Sequence, residues 1–263
     1  MAAAKSYGSA GGDAEDPRPG PESLADARLC LGVAFSFCTG WINAVFFVRY
    51  KAFATVMAGN TLMFACAVAI FAVKKSGLEV AEPDSGWLAS MPSPFLYGSI
   101  IIASCFGAAC CHVLERKRRW TAGTFAPMIG GVLAIFELWE YAQHGHVTHS
   151  QWHVVFFALV CGNLNSISLQ GGLESLPYCS TGMLMGLGHA LGDACLGQLS
   201  AKELRRFVQT LAMLLATLAG AISGMLLDKF TPWTWDFELA VISPFLVVVL
   251  YAHDSFLGAA GEA

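Results

Sequence analysis

Charge is scarce in this chain. Of 263 residues only 13% are Asp, Glu, Lys or Arg, while 56% are apolar, and an ordinary soluble domain carries about 25% charged residues. A surface so poor in charge cannot be wetted all round, which excludes a conventional water-soluble domain. The formal net charge is −4, and the few basic residues stand in short clusters. Without a basic stripe there is no electrostatic footprint for nucleic acid, so no nucleic-acid partner is expected. No CxxC pair occurs among the nine cysteines, most of which lie inside apolar runs, so they read as small buried hydrophobes. HExxH, a nucleophile elbow and a phosphate-binding Gly loop are likewise missing, so neither a cofactor nor enzyme chemistry is implied.

Residues 1–28 also lack an apolar run, and hold Pro17, Pro19 and Pro21 among Asp13, Glu15, Asp16, Glu22 and Asp26. The segment reads as a disordered acidic tail, neither a secretory signal nor a transit peptide. Residues 258–263 form a second, short tail.

What is abundant between the tails is hydrophobic sequence. Eight stretches approach the length of about 20 apolar residues that crosses a bilayer: 29–48, 52–73, 94–114, 125–141, 152–171, 180–198, 207–227 and 237–257. The first stretch, and IIIASCFGAACC within the third, carry no charge and no polar face, which excludes amphipathic surface helices there. The expected fold is an all-α transmembrane bundle of six to eight spans, a multi-pass protein with the lipid bilayer as its first partner. Small residues recur four apart, as in Gly32-Ser36-Gly40, Gly220-Gly224, Gly182-Gly186 and Gly188-Gly192. Such spacing lets helix backbones pack closely.

The sequence also echoes itself. Gly40-Trp41-Ile42-Asn43-Ala44 is matched by Gly162-Asn163-Leu164-Asn165-Ser166, and Thr55–Asn60 by Pro177–Gly182, both at an offset of 122 residues. Gly107 and Trp120 are matched by Gly220 and Trp233 at 113. Two repeats are expected, 29–141 and 152–257, with a solute site where they meet. The basic clusters Arg116–Arg119 and Lys202–Arg206 would lie on opposite sides if all eight segments crossed. The positive-inside rule therefore points to an irregular region at 171–198 and to both clusters in the cytoplasm.

Candidate site residues follow from two ideas. The first is that extended sequence leading into a short helix aims free N–H groups and a positive dipole end inward. FATV before Ala58-Gly59-Asn60-Thr61 and GGLESLPY before Ser180-Thr181-Gly182 fit that description. Asn60, Thr61, Ser180 and Thr181 are then expected to cap the helices, and a small solute, anions included, would bind Asn43, Gly59, Asn60, Thr61, Asn165, Thr181 and Gly182. The competing reading is that Gly59 and Gly182 only allow a bend or close packing.

The second idea is that ionisable groups inside spans are expensive and hence functional suspects. His189 and Asp193 lie one turn apart and could couple to protons or fix packing. Glu137 and Glu140 share a face; they form either a relay or an interfacial pair beside Trp139 and Tyr141. His149 and His153 have metal-pair spacing, but no thiolate or rigid loop supports a metal site.

At these positions the chain resembles the YoaK family of uncharacterised multi-pass membrane proteins, from about residue 28 to 255. The carriers are Gly40–Ala44, Met57-Ala58-Gly59-Asn60, Gly162–Ser166 and Thr181-Gly182. Asn43 stands where that family has an acid, Ala58 where it has Thr, and Leu164 where it has Gln. The resemblance implies a polytopic α-helical fold and brings no substrate. The reading is a transporter or channel for a small solute, with homo-oligomerisation open; the alternatives are a membrane scaffold or assembly factor, and behind it a membrane-embedded enzyme.

Overall fold

The computed structural model describes residues 21–53, 55–76, 92–118, 122–145, 150–170, 180–196, 200–230 and 237–257. Eight α-helices and no strand occur among them: α1 (Pro21–Tyr50), α2 (Met57–Ser76), α3 (Pro94–Arg118), α4 (Ala122–His144), α5 (His153–Gln170), α6 (Ser180–Cys195), α7 (Ala201–Phe230) and α8 (Glu238–Leu257). Each coincides with one of the eight apolar stretches. The largest boundary difference is at the start, where α1 opens at Pro21, ahead of the apolar run, so part of the expected tail is helical. Proline suits that first helical position because its missing N–H would have no intrahelical partner there.

Five of these helices, α1, α3, α4, α7 and α8, are long and apolar enough to cross a membrane, while α2 and α5 carry shorter apolar segments. Their outward surface is apolar as well: Ile102, Phe106, Ile135, Leu215, Ile222, Phe245 and Val248 are all more than half exposed. In hydrocarbon a backbone must satisfy its own polar groups, which an α-helix does internally. The chain is an integral multi-pass membrane protein.

Contacts between helix ends give the topology. Asp26 at the start of α1 meets Arg205 at the start of α7, and Asp254 near the end of α8 accepts from the Gly123 N–H at the start of α4. These ends form one face of the bundle. At the opposite face, Arg49 near the end of α1 meets Glu238 at the start of α8, and Tyr97 near the start of α3 donates to the Lys51 carbonyl. His153, opening α5, lies against Glu140 near the end of α4.

The chain thus reaches the second face at Tyr50 and leaves it again at Pro94, so α2 makes an excursion and does not cross. The same parity holds for α6, because α5 ends and α7 begins at the first face. Arg116–Arg118, ending α3, and Lys202–Arg206, in α7, therefore lie at the same face, and the conflict between the basic clusters disappears.

Two helix pairs pack at backbone distance. In α1·α7, Gly40 lies on the Thr217 carbonyl and Gly220 on the Phe37 carbonyl; in α3·α5, Gly162 lies on the Ser104 carbonyl and Gly107 on that of Leu159. A Cβ at any of the four would overlap backbone atoms. A third pair, α4·α8, crosses where Ser243 donates to the Gly130 carbonyl.

Candidate functional site

The first constellation surrounds a short non-helical segment. α1 ends at Tyr50, Lys51 takes a left-handed conformation (φ 55°), and Phe53 and Thr55 lie back along the bundle before α2 starts. Thr55 meets Asn43, about 10 Å below the end of α1, and Asn165, about 18 Å along α5 from its start, at 1.5 Å per residue. The segment therefore lies near the middle of the bundle. α2 then returns beside the start of α3, where Phe71 packs edge-on against Phe95.

Three asparagines hold this segment. Asn43 Nδ2 donates to Thr55 Oγ1 at 2.5 Å, and Asn43 Oδ1 accepts from the Thr55 N–H at 3.2 Å. Asn165 Nδ2 donates to the Thr55 carbonyl at 3.2 Å. Asn60 accepts from the Phe53 N–H at 2.9 Å and donates to the Phe53 carbonyl at 2.5 Å. A side-chain amide with one donor face and one acceptor face can replace the pairing that an extended backbone would otherwise lack. Phe53 stacks on Phe47 (centroids 5.0 Å apart), and a Cβ at Gly59 would strike its ring.

The helix does not start after the Ala58–Thr61 turn, as the sequence suggested. It starts at Met57, the Asn60 N–H reaches the Val56 carbonyl, and the Asn60 side chain serves the extended segment instead of capping α2. Physically, Ala58 and Gly59 offer too little obstruction to delay a helix once Val56 supplies the first acceptor.

The second constellation is electrostatic and sits at the second face. Arg49 Nη1 donates to Glu137 Oε1 at 2.6 Å, and Nη2 pairs with Glu238. These side chains are 1–2% exposed. Glu137 Oε2 also accepts the Ala240 N–H at 2.7 Å, which places a carboxylate on the positive end of α8. One guanidinium and one helix N-terminus together balance two carboxylates. Trp41 completes the α1–α8 seam by donating to the Glu238 carbonyl. Beside this trio, Glu140 Oε1 lies 3.2 Å from His153 Nδ1, and the buried Tyr50 is within electrostatic reach of Arg49, Glu137 and Glu140.

Of the residues singled out in the sequence, Asn43, Gly59, Asn60 and Asn165 are brought together. Thr61 is exposed on α2 beside them. Thr181 and Gly182 lie in the first turn of α6, and their side chains are outside the described residues, as is His149. Glu137 and Glu140 are buried at 1% and 3% and turn into the bundle, whereas Trp139 near them is exposed. On α6, His189 is exposed and Asp193 half-buried; α6 packs on α7, apart from the asparagines. Among the described residues no three His, Cys, Asp or Glu side chains converge as a metal site, and His153 is taken up by Glu140.

Arg49, Glu238 and Thr55 were not singled out. For the first two a signal exists: Arg49 directly follows an uncharged apolar run, and Glu238 opens the last one. A lone charge in such a place needs a buried partner. Thr55 carries no signal of its own.

A family model described as a protein of unknown function (DUF1275) matches residues 31–252. No curated protein and no solved structure matches the chain.

Proposed function

The chain belongs to the DUF1275 family of proteins of unknown function, and we propose that it is a transporter or channel for a small polar solute whose path runs past Phe53 and Thr55. The observation that carries this reading is the non-helical backbone of Phe53 and Thr55 at mid-bundle depth. Non-helical backbone at that depth persists only where protein encloses it or where it lines a polar path, and interrupted helices of this kind are how transporters build solute sites. Asn165 Oδ1 is buried with no hydrogen-bond partner among the described residues, leaving an acceptor beside Thr55 for a solute donor.

A duplicated architecture supports the same reading. The close contacts Gly40–Thr217 and Phe37–Gly220 become Gly162–Ser104 and Leu159–Gly107 under the same two offsets as the sequence echoes. Because α1 leaves the first face and α5 the second, the two halves would be inverted, a common transporter arrangement. The finer likeness to the YoaK group agrees with this fold and supplies no solute. Under the positive-inside rule, the basic clusters at the first face favour a cytoplasmic first face.

The test is flux into proteoliposomes of purified protein, with small amines, amino acids, nucleobases, sugars and organic acids as the panel. The expected result is uptake of one class that Asn165→Ala removes while the thermal transition is kept. No flux across the panel from folded protein, or flux indifferent to Asn165→Ala, overturns the reading.

A further inference from the structure

Most ionisable groups set within these helices find a partner in their own chain. Glu137 and Glu238 meet Arg49, Glu140 lies against His153, and Asp254 accepts the Gly123 N–H. His189 and Asp193, one turn apart on α6, are the exception: among the described residues neither has a hydrogen bond or an ion pair. His189 is exposed and Asp193 half-buried. At 1.5 Å per residue, His189 lies about 9 Å along the helix from its end at Cys195. Ionisable groups at such depth pair with one another or face a polar space, because hydrocarbon offers them no partner. We propose that the outer side of α6 is a contact between two copies of this chain, in which His189 pairs with the partner's Asp193.

The geometry of α6 supports this. The helix packs on α7, and Leu187, its one buried apolar side chain among the described residues, marks the side turned inward. Met185, His189, Gly192 and Leu196 recur at i, i+4, i+7 and i+11 on the opposite side. The Leu196 N–H still reaches the Gly192 carbonyl, so the stripe is continuous to its end. Met185 and Leu196 are both more than half exposed. Gly186 and Gly192 flank His189 on either side, and nothing lies within 4 Å of the place a Cβ would take at either. A second helix can therefore approach the His189 turn closely.

The charge pattern specifies a second copy as the occupant. α6 carries one His, one Asp and no other charged residue, so it is complementary to itself. Copies inserted in the same orientation are related by a two-fold axis along the bilayer normal, and their α6 helices run parallel. Each residue then faces the same level of the partner, and contacts come in reciprocal pairs. His189 reaches the partner's Asp193 one turn on, and Asp193 receives the partner's His189, so one interface makes two pairs. Acyl chains would leave both groups unpaired. The assignment does not depend on the transport reading.

The experiment counts copies in a bilayer. Full-length protein carrying one fluorophore is reconstituted at decreasing protein-to-lipid ratio, and stepwise photobleaching gives the dimer fraction. Wild type should dimerise, and His189→Leu and Asp193→Leu should each weaken association about tenfold, the effect of losing two interhelical polar contacts of ordinary strength. Exchanging the two residues, as His189→Asp with Asp193→His, should restore the wild-type dimer fraction. In a background without native cysteines, Gly192→Cys should form a disulfide-linked dimer on oxidation, and Ile135→Cys, exposed on α4, should not. Thermal transitions of all variants report folding separately. Monomers at every ratio overturn a second copy as the occupant. A dimer fraction unchanged in both Leu variants, or not recovered in the exchanged one, overturns the pairing. Cross-linking through position 135 and not 192 overturns the choice of face.

Discussion

Replacing Arg49 by Met tests the electrostatic seam at the second face. The substitution keeps most of the side-chain volume and removes the cation that pairs with both Glu137 and Glu238. Glu137 would retain the Ala240 N–H, but Glu238 Oε1 has no hydrogen-bond partner among the described residues even now, so Glu238 would lose its principal compensation. Breaking a buried ion pair by removing one partner costs about 3–5 kcal/mol. In a chain of this size one kcal/mol moves the midpoint by about 2–4 °C, so Arg49→Met should melt roughly 6–20 °C below wild type in detergent. Replacing all three charges, as Arg49→Met with Glu137→Gln and Glu238→Gln, removes the uncompensated anions and should recover most of that loss. Thermal unfolding followed by circular dichroism checks both variants. If Arg49→Met melts within about a degree of wild type, or the triple variant is no more stable than the single one, the three groups are not the coupled unit described.

Two further predictions concern the other constellations. Asn60→Ala leaves the Phe53 N–H and carbonyl unpaired, at about 1–3 kcal/mol for each buried group. The loss should appear as faster hydrogen exchange over α2 with the α1·α7 and α3·α5 amides unchanged; uniform loosening of the bundle would contradict a local role. Gly162→Leu drives a side chain into the Ser104 carbonyl and should cost at least the 1–3 kcal/mol typical of overpacking. Gly188→Ala, with nothing within 4 Å of the new methyl, should be neutral or stabilising by about 0.5–1 kcal/mol; chemical denaturation in micelles separates the two.

Much of this was legible in the sequence for identifiable reasons. Apolar runs of about this length, with at most two acids each, read as helices in hydrocarbon, so all eight elements were visible. Asn43, Asn60 and Asn165 stood out because amides are conspicuous in such runs, though their hydrogen bonds to residues 53–55 were not foreseeable from spacing. The glycine stripes were ambiguous in one respect. Those of α1 and α7 are covered by each other, whereas Gly186, Gly188 and Gly192 on α6 face open space, and spacing alone cannot say which face a neighbour covers. The Arg49 trio was hidden because its members are 88 and 189 residues from Arg49 in the chain. Only the parity of helix ends, itself a product of α2 and α6 turning back, brings them to one face.

That parity carries the account, and it is directly measurable. In a background without native cysteines, Lys75→Cys and Gln143→Cys, Asp26→Cys and Lys202→Cys are introduced singly and labelled with an impermeant thiol reagent from each side of oriented vesicles. The account predicts that positions 75 and 143 label from one side and 26 and 202 from the other. Labelling of position 75 from the side of 26 and 202 would show α2 crossing the bilayer, and the mid-bundle placement of Phe53 and Thr55 as a turning point would fall with it.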